Sequence, residues 1–259
     1  MQDLAFVSAG FFVGLVVGLT GVGGGSLMTP FLIFAFGVKP HIAIGTDLLF
    51  AAVTKFGGSV ALARARRIDW PVVLRMAAGS IPASLITLYV LHRIGPADPA
   101  VQHAMTSTLG VALLLTAVAT FYKAVIGKKA ARPAADRPAR FSHPALSVLF
   151  GAVIGALVTL TSVGAGAIGV LVLLLLYPTL PLQRIVAADI AHAVPLTLIA
   201  GLGHAAIGAV DWLLLATLLV GSLPGIWLGS RLAGKTPDRV IRSLLSLLLA
   251  YAGTKLIAI

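Results

Sequence analysis

No cysteine occurs in the 259 residues, and all eight acidic side chains are aspartates, so glutamate is absent as well. Without cysteine the chain has no disulfide framework and no thiolate-bound zinc or iron–sulfur cluster. Without glutamate it has no His-Glu-x-x-His zinc helix, and no Gly-x-Ser-x-Gly elbow supplies a nucleophile instead. Catalytic residues, a metal and a cofactor are accordingly not expected. Charge of either sign is scarce, at 10% of residues, against roughly 25% in soluble domains. What fills the chain is apolar: 59% of residues are hydrophobic and the mean hydropathy is +1.04. This composition predicts an all-α polytopic membrane protein rather than a soluble domain with one anchor.

The formal net charge is +11. In a soluble protein that excess would point to nucleic acid. Here the basic residues collect in a few short loops between apolar segments, which is the orientation signal of membrane proteins, so no nucleic-acid partner is expected. The N-terminal stretch MQDLAFVSAGFFVGLVVGL lacks the Lys/Arg region of a secretory signal and is expected to be a retained first helix.

Apolar runs mark ten segments: 4–20, 25–36, 42–63, 71–92, 101–126, 144–161, 167–177, 183–206, 212–232 and 238–258. Those at 25–36 and 167–177 are too short for a hydrocarbon core of about 30 Å and are expected as half-helices, each paired with the segment before it. Arg64, Arg66 and Arg67 fill one loop, Lys128, Lys129, Arg132, Arg137 and Arg140 another, and Arg231, Lys235, Arg239 and Arg242 flank a third. The positive-inside rule assigns all three to the cytoplasm and puts both termini outside it. Lys39, Arg93 and Lys255 are exceptions to that rule. The proline-bearing basic stretch 127–143 divides the chain into a first membrane repeat, 1–126, and a second, 144–259.

The halves match. GLVVGLTGVGGGS at 14–26 lies over GALVTLTSVGAGA at 155–167; Asp47 meets Asp189; IDW at 68–70 meets VDW at 210–212; GSIP at 79–82 meets GSLP at 221–224. Each half holds an odd number of segments once a half-helix pair is taken to return to its own side. The halves are therefore expected to be inverted relative to each other, each with four spanning-length helices and one half-helix. Many secondary transporters share that architecture, with the site between the repeats near the midplane.

The run GLTGVGGGSLMTP at 18–30 interrupts an apolar segment with four glycines in five residues. Each interior glycine costs a helix about 1 kcal/mol relative to alanine, so the cluster is a break. A break inside a membrane leaves backbone groups unpaired, which is tolerable only against protein or a water-filled cavity. The half-helix that follows exposes free N–H groups at its positive end. Thr20, Gly23, Gly24, Gly25 and Ser26 in the first half, and Thr161, Ser162, Gly164 and Gly166 in the second, are thus candidate anion-binding residues. Tight helix–helix contact is the competing account of such glycines.

The paired glycine-rich breaks, the IDW and VDW loops and the GS-x-P helices resemble the sulfite exporter TauE/SafE family of membrane transporters, over nearly the whole chain. The resemblance implies transport of small anions such as sulfite, sulfonates and related organosulfur acids, in a bacterial cell membrane.

Few ionisable groups interrupt the apolar segments. Lys55 falls near mid-span, as a countercharge for an anionic substrate or a partner of Asp47 eight residues earlier; helix geometry separates that pair by about 12 Å. Asp189 and His192 share a helix face and could relay protons, though Arg184 close by also suits interfacial solvation. Asp47, Asp189 and His192 are therefore the candidate coupling residues, with protons or another ion as partner. Asp69 and Asp211 are read as helix caps, and Pro82, Pro195 and Pro224 as kinks within helices. GSRLAGKT at 229–236 fits the spelling of a phosphate-binding loop, but it closes a membrane helix and Pro237 follows, so the match is accidental. The expected function is secondary transport of a small anion by alternating access, with an anion channel built on the same half-helices as the alternative. A homo-oligomer is compatible with this reading.

Overall fold

The computed structural model describes residues 2–20, 25–126, 144–232 and 238–258. Among these it contains ten helices: α1 (Gln2–Thr20), α2 (Gly25–Phe36), α3 (Pro40–Arg64), α4 (Trp70–Ile94), α5 (Pro99–Ile126), α6 (Pro144–Thr161), α7 (Ala167–Leu176), α8 (Leu182–Ala206), α9 (Trp212–Leu232) and α10 (Asp238–Ile257). Every boundary lies within two residues of the apolar run that announced it. The agreement follows from the solvent: a chain in lipid must satisfy its backbone internally, so each apolar run becomes a helix. The expected eight spanning-length helices are met more narrowly. Among the described residues, six (α3, α4, α5, α6, α8 and α9) are long and apolar enough to cross a membrane by length and composition. Pro30, read from the sequence as closing the glycine-rich stretch, lies inside α2.

Local chemistry fixes the ends. Asp69 caps α4 by accepting from Val72 N at 3.4 Å, and Asp211 caps α9 by accepting from Leu214 N at 3.0 Å, as their place before Trp suggested. Pro40, Pro99 and Pro144 begin their helices, where a missing N–H costs nothing. Pro82, Pro195 and Pro224 all lie inside helices.

The helices pack as α1 with α9, α4 with α6, α3 with α8 and α5 with α10. If the first five helices are matched in order to the last five, this pairing maps onto itself: α1–α9 becomes α6–α4, and the other two pairs exchange their own members. Glycine stripes set the two closest crossings. Gly10, Gly14 and Gly18 of α1 press on the α9 backbone, and Gly221, Gly225 and Gly229 of α9 press back on α1. Gly79 of α4 and Gly151 and Gly155 of α6 do the same at the other crossing. A Cβ on Gly14 would lie 2.8 Å from Ser222 Cα, closer than side chains tolerate. Such spacing lets main chains approach where no hydrophobic effect drives helices together.

The buried interior forms two apolar clusters, one around Met28, Leu32, Phe50, Leu113 and Leu249 and one around Ile44, Leu48, Met76, Leu173 and Leu196. Helix α3 contributes to both through its buried first half, 43–52. Large exposed apolar side chains such as Leu74, Trp212 and Leu244 face outward, as in a surface wetted by lipid.

Candidate functional site

The polar groups of the interior gather where α3 and α8 pass the break between α6 and α7. That break is built by residues with unusual backbone: Ser162 has φ +60, Gly164 +134 and Gly166 +132. Thr161 ties off the end of α6, its hydroxyl donating to Leu157 O at 2.6 Å and accepting from Val163 N at 3.1 Å. Gly169 N reaches back to Gly164 O at 2.9 Å, and Val170 N to Gly166 O at 3.3 Å. The N–H groups of Ala165, Gly166, Ala167 and Ile168 meet no acceptor among the described residues, and no side chain caps α7. On the other side of the break, the carbonyls of Leu160, Thr161 and Ser162 receive no donor among the described residues. One interruption thus presents a positive helix start and a negative helix end side by side.

Lys55 reaches this break from α3, its Nζ donating to Ala165 O at 3.2 Å. It lies within electrostatic range of Asp189 and, less strongly, of Asp47. Asp47 is fully buried; Thr29 of α2 donates to its Oδ2, and the Ser162 hydroxyl stands beside it. Its Oδ1 and Ser162 Oγ have no hydrogen-bond partner among the described residues. Asp189 and His192 are both buried, at 2% exposure each, which removes interfacial solvation as their role. His192 Nε2 pairs with Ser80 Oγ of α4 at 2.7 Å, and the Asp189 carboxylate rests against Gly169 where a Cβ would otherwise stand.

The second-half candidates and Lys55, Asp47 and Asp189 therefore converge, with His192 held on Ser80 and within electrostatic range of Lys55. Of the first-half candidates, Gly23 and Gly24 lie outside the described residues, as does the start of the glycine run at Gly21. Thr20 and Gly25 mark the ends of α1 and α2 that flank it. Ser26 is buried, and its Oγ is unpartnered among the described residues. The phosphate-loop look-alike ends α9 with Gly229–Leu232; the remainder lies outside the described residues. Among the described residues no group of three or more His, Cys, Asp or Glu could hold a metal ion.

The model of the sulfite exporter TauE/SafE family matches residues 6–256. The chain belongs to this family. This TauE/SafE chain is 35% identical to the probable membrane transporter protein YjnA of Bacillus subtilis (strain 168), over 99% of its own length and all of the relative. It is 26% identical to the probable membrane transporter protein YdhB of the same organism, covering 95% of this chain and 97% of that one. Against the probable membrane transporter protein MJ0441 of Methanocaldococcus jannaschii the identity is 25%, over 95% and 92% of the two chains. No solved structure matches. The protein is a multi-pass membrane transporter.

Sequence reasoning about this TauE/SafE chain missed Thr29 and Ser80. Ser80 had a signal, because it is the serine of the repeated GS-x-P motif, whose second copy carries the fully buried Ser222. Thr29 had none.

Proposed function

We propose that the protein is a secondary transporter of a small oxyanion, sulfite or an organic sulfonate, working by alternating access between two inverted repeats. The carrying observation is the set of four N–H groups at Ala165–Ile168 without acceptors among the described residues, beside the half-buried ammonium of Lys55. Donors held in place around a cation suit the oxygens of a tetrahedral or pyramidal sulfur anion. The family description, sulfite exporter, supports the same substrate class. In this reading Gly164, Gly166, Ser162 and Thr161 shape the second cradle, and Thr20, Gly23, Gly24, Gly25 and Ser26 form its counterpart.

Coupling follows from charge. Two carboxylates, Asp47 and Asp189, share one lysine, so an entering anion adds negative charge to a centre that already has an excess of it. Burying that sum is costly unless a cation or proton enters too. Asp47, Asp189 and His192 are the residues that would hold it.

The self-mapping helix pairing and the matched motifs support the repeat, and the arginine loop at 64–67 supports its orientation, with both termini outside the cytoplasm. Because the chain lacks cysteine, single cysteines report topology without background. Ala65→Cys and Ala206→Cys sit at corresponding, exposed helix ends in the two halves. An impermeant maleimide applied to intact cells is expected to label only Ala206→Cys; labelling of both from one side would reject the inversion.

Binding itself is read by thermal unfolding of the purified protein with sulfite, small sulfonates, sulfate or chloride. One sulfur anion is expected to stabilise it saturably. Gly166→Ala, which forces a side chain onto φ +132, strains the cradle by about 1–3 kcal/mol and is expected to weaken that response at least tenfold. Equal stabilisation of the parent protein by every anion would reject a sulfur-anion site.

A further inference from the structure

We propose that Asp47, Ser162 and the free carbonyl end of α6 form a binding site for one small alkali cation, sodium in the first instance. The inference rests on the transport reading above and names the ion that accompanies the substrate. Three observations converge on it.

The first is an excess of unpartnered oxygen. Asp47 is fully buried and Ser162 is 5% exposed, yet Asp47 Oδ1 and Ser162 Oγ find no hydrogen-bond partner among the described residues. Buried polar atoms are nearly always satisfied; the Ser162 hydroxyl is close enough to Asp47 to interact with it but makes no bond of hydrogen-bond geometry, so both oxygens can still serve a cation. The carbonyls of Leu160, Thr161 and Ser162, at the same break, also receive no donor among the described residues. Carboxylate, hydroxyl and main-chain carbonyl are all hard oxygen donors, and the negative end of a broken membrane helix is where such donors gather around an ion.

The second is charge. Lys55 lies closer in electrostatic terms to Asp189 than to Asp47. Among the described residues Asp47 is left with Thr29, through hydroxyl and main chain, with the Ser162 hydroxyl, and with Lys55 as the one charged group acting on it. A single carboxylate among neutral oxygens balances one positive charge. Divalent calcium takes six to eight oxygens, commonly with several carboxylates. The monovalent ion is the match.

The third is conformation. Ser162 holds φ +60, a region where a residue with a side chain is uncommon, in a break that uses glycine at its other two left-handed positions. A strained serine where glycine would be easy points to a use for its hydroxyl.

The test uses purified full-length protein without any sulfur anion, unfolded thermally in sodium chloride or choline chloride at equal ionic strength. Sodium is expected to raise the midpoint saturably over choline. Asp47→Asn is expected to abolish the difference. Because that change could impair folding, Ser162→Gly is the second variant: it deletes the hydroxyl and relieves the positive φ. Its midpoint in choline should equal or exceed the parent's, while its apparent sodium affinity falls at least tenfold. Sodium indistinguishable from choline in the parent protein overturns the proposal, as does a sodium response that survives both variants. A midpoint that follows pH but not sodium also overturns it and assigns Asp47 to a proton. The anion panel, run in choline, separates the two readings: anion stabilisation without a sodium effect retains the transporter reading alone.

Discussion

Lys55→Met is expected to remove the sulfur-anion response and to lower the stability of the protein at the same time. The lysine is the cation that Asp189 and Asp47 both feel, and its ammonium donates to Ala165 O beside the N–H groups of 165–168, which meet no acceptor among the described residues. Methionine keeps the length of the stem and deletes the charge. A charge-assisted hydrogen bond to an anion is worth about 1.5–3 kcal/mol, so affinity should fall by roughly ten- to a hundredfold. Removing one of a set of buried opposite charges costs up to about 3–5 kcal/mol. Lys55 is only half-buried, so the loss of stability should lie at or below the low end of that range. The two effects separate in a double variant. Lys55→Met combined with Asp189→Asn removes both opposing charges, and should recover part of the melting temperature without recovering anion binding. Thermal unfolding with and without sulfite checks both statements, and a Lys55→Met protein that binds as tightly as the parent would move the site away from α7.

Gly14→Leu is expected to be the most disruptive single change outside the site. Gly14 faces Ser222 across the α1–α9 crossing, where a Cβ would stand only 2.8 Å from Ser222 Cα, and the obstacle is main chain rather than a side chain that can swing aside. The helices must separate, and the contacts of Gly10, Gly18, Gly221 and Gly225 along the same crossing are lost with it. Overpacking of this kind costs about 1–3 kcal/mol and occasionally more. Gly57→Ala is the matched control, because a Cβ there meets nothing within 4 Å. It replaces an exposed helical glycine and should be neutral or stabilising by up to about 1 kcal/mol. Melting temperatures of the two variants, measured side by side, decide whether the stripe or mere glycine content holds α1 to α9.

The glycines show how a single residue type carries two meanings that a sequence cannot separate. Gly14 and Gly155 occupy matched places in the repeat and serve close packing, against Ser222 and Ser80. Gly164 and Gly166, a few residues on, serve a break, with φ values that side chains avoid. Close packing and a helix break are thus both built from glycine, in adjacent stretches.

The ionisable residues were legible for a different reason. A lysine, two aspartates and a histidine inside apolar runs are too costly to be incidental; the lysine and the aspartates stand by one break, and the histidine pairs with Ser80 of α4. The hydroxyls were not legible. Thr116 and Thr197 bond to Ala112 O and Ala193 O in their own helices, at 2.7 and 2.8 Å, while Thr29 crosses to Asp47. A threonine can satisfy itself one turn back at almost no cost, so its presence in a helix says nothing about where its hydroxyl goes.

What the sequence determined by itself was the solvent of the protein and, through it, the helices. Ten apolar runs in lipid can only become helices, because no water is there to pair their backbone, and glycine clusters can only interrupt them. What the tertiary structure decided was which residues meet. Asp47 and Lys55 belong to the first half, yet they serve the break of the second, at Ser162 and Ala165. That encounter depends on the depth to which α1 and α9, and α4 and α6, sink into each other, and on the passage of α3 alongside α8. Contact between main chains at glycine stripes sets those depths. It is a property of two distant segments together, and neither one's sequence contains it.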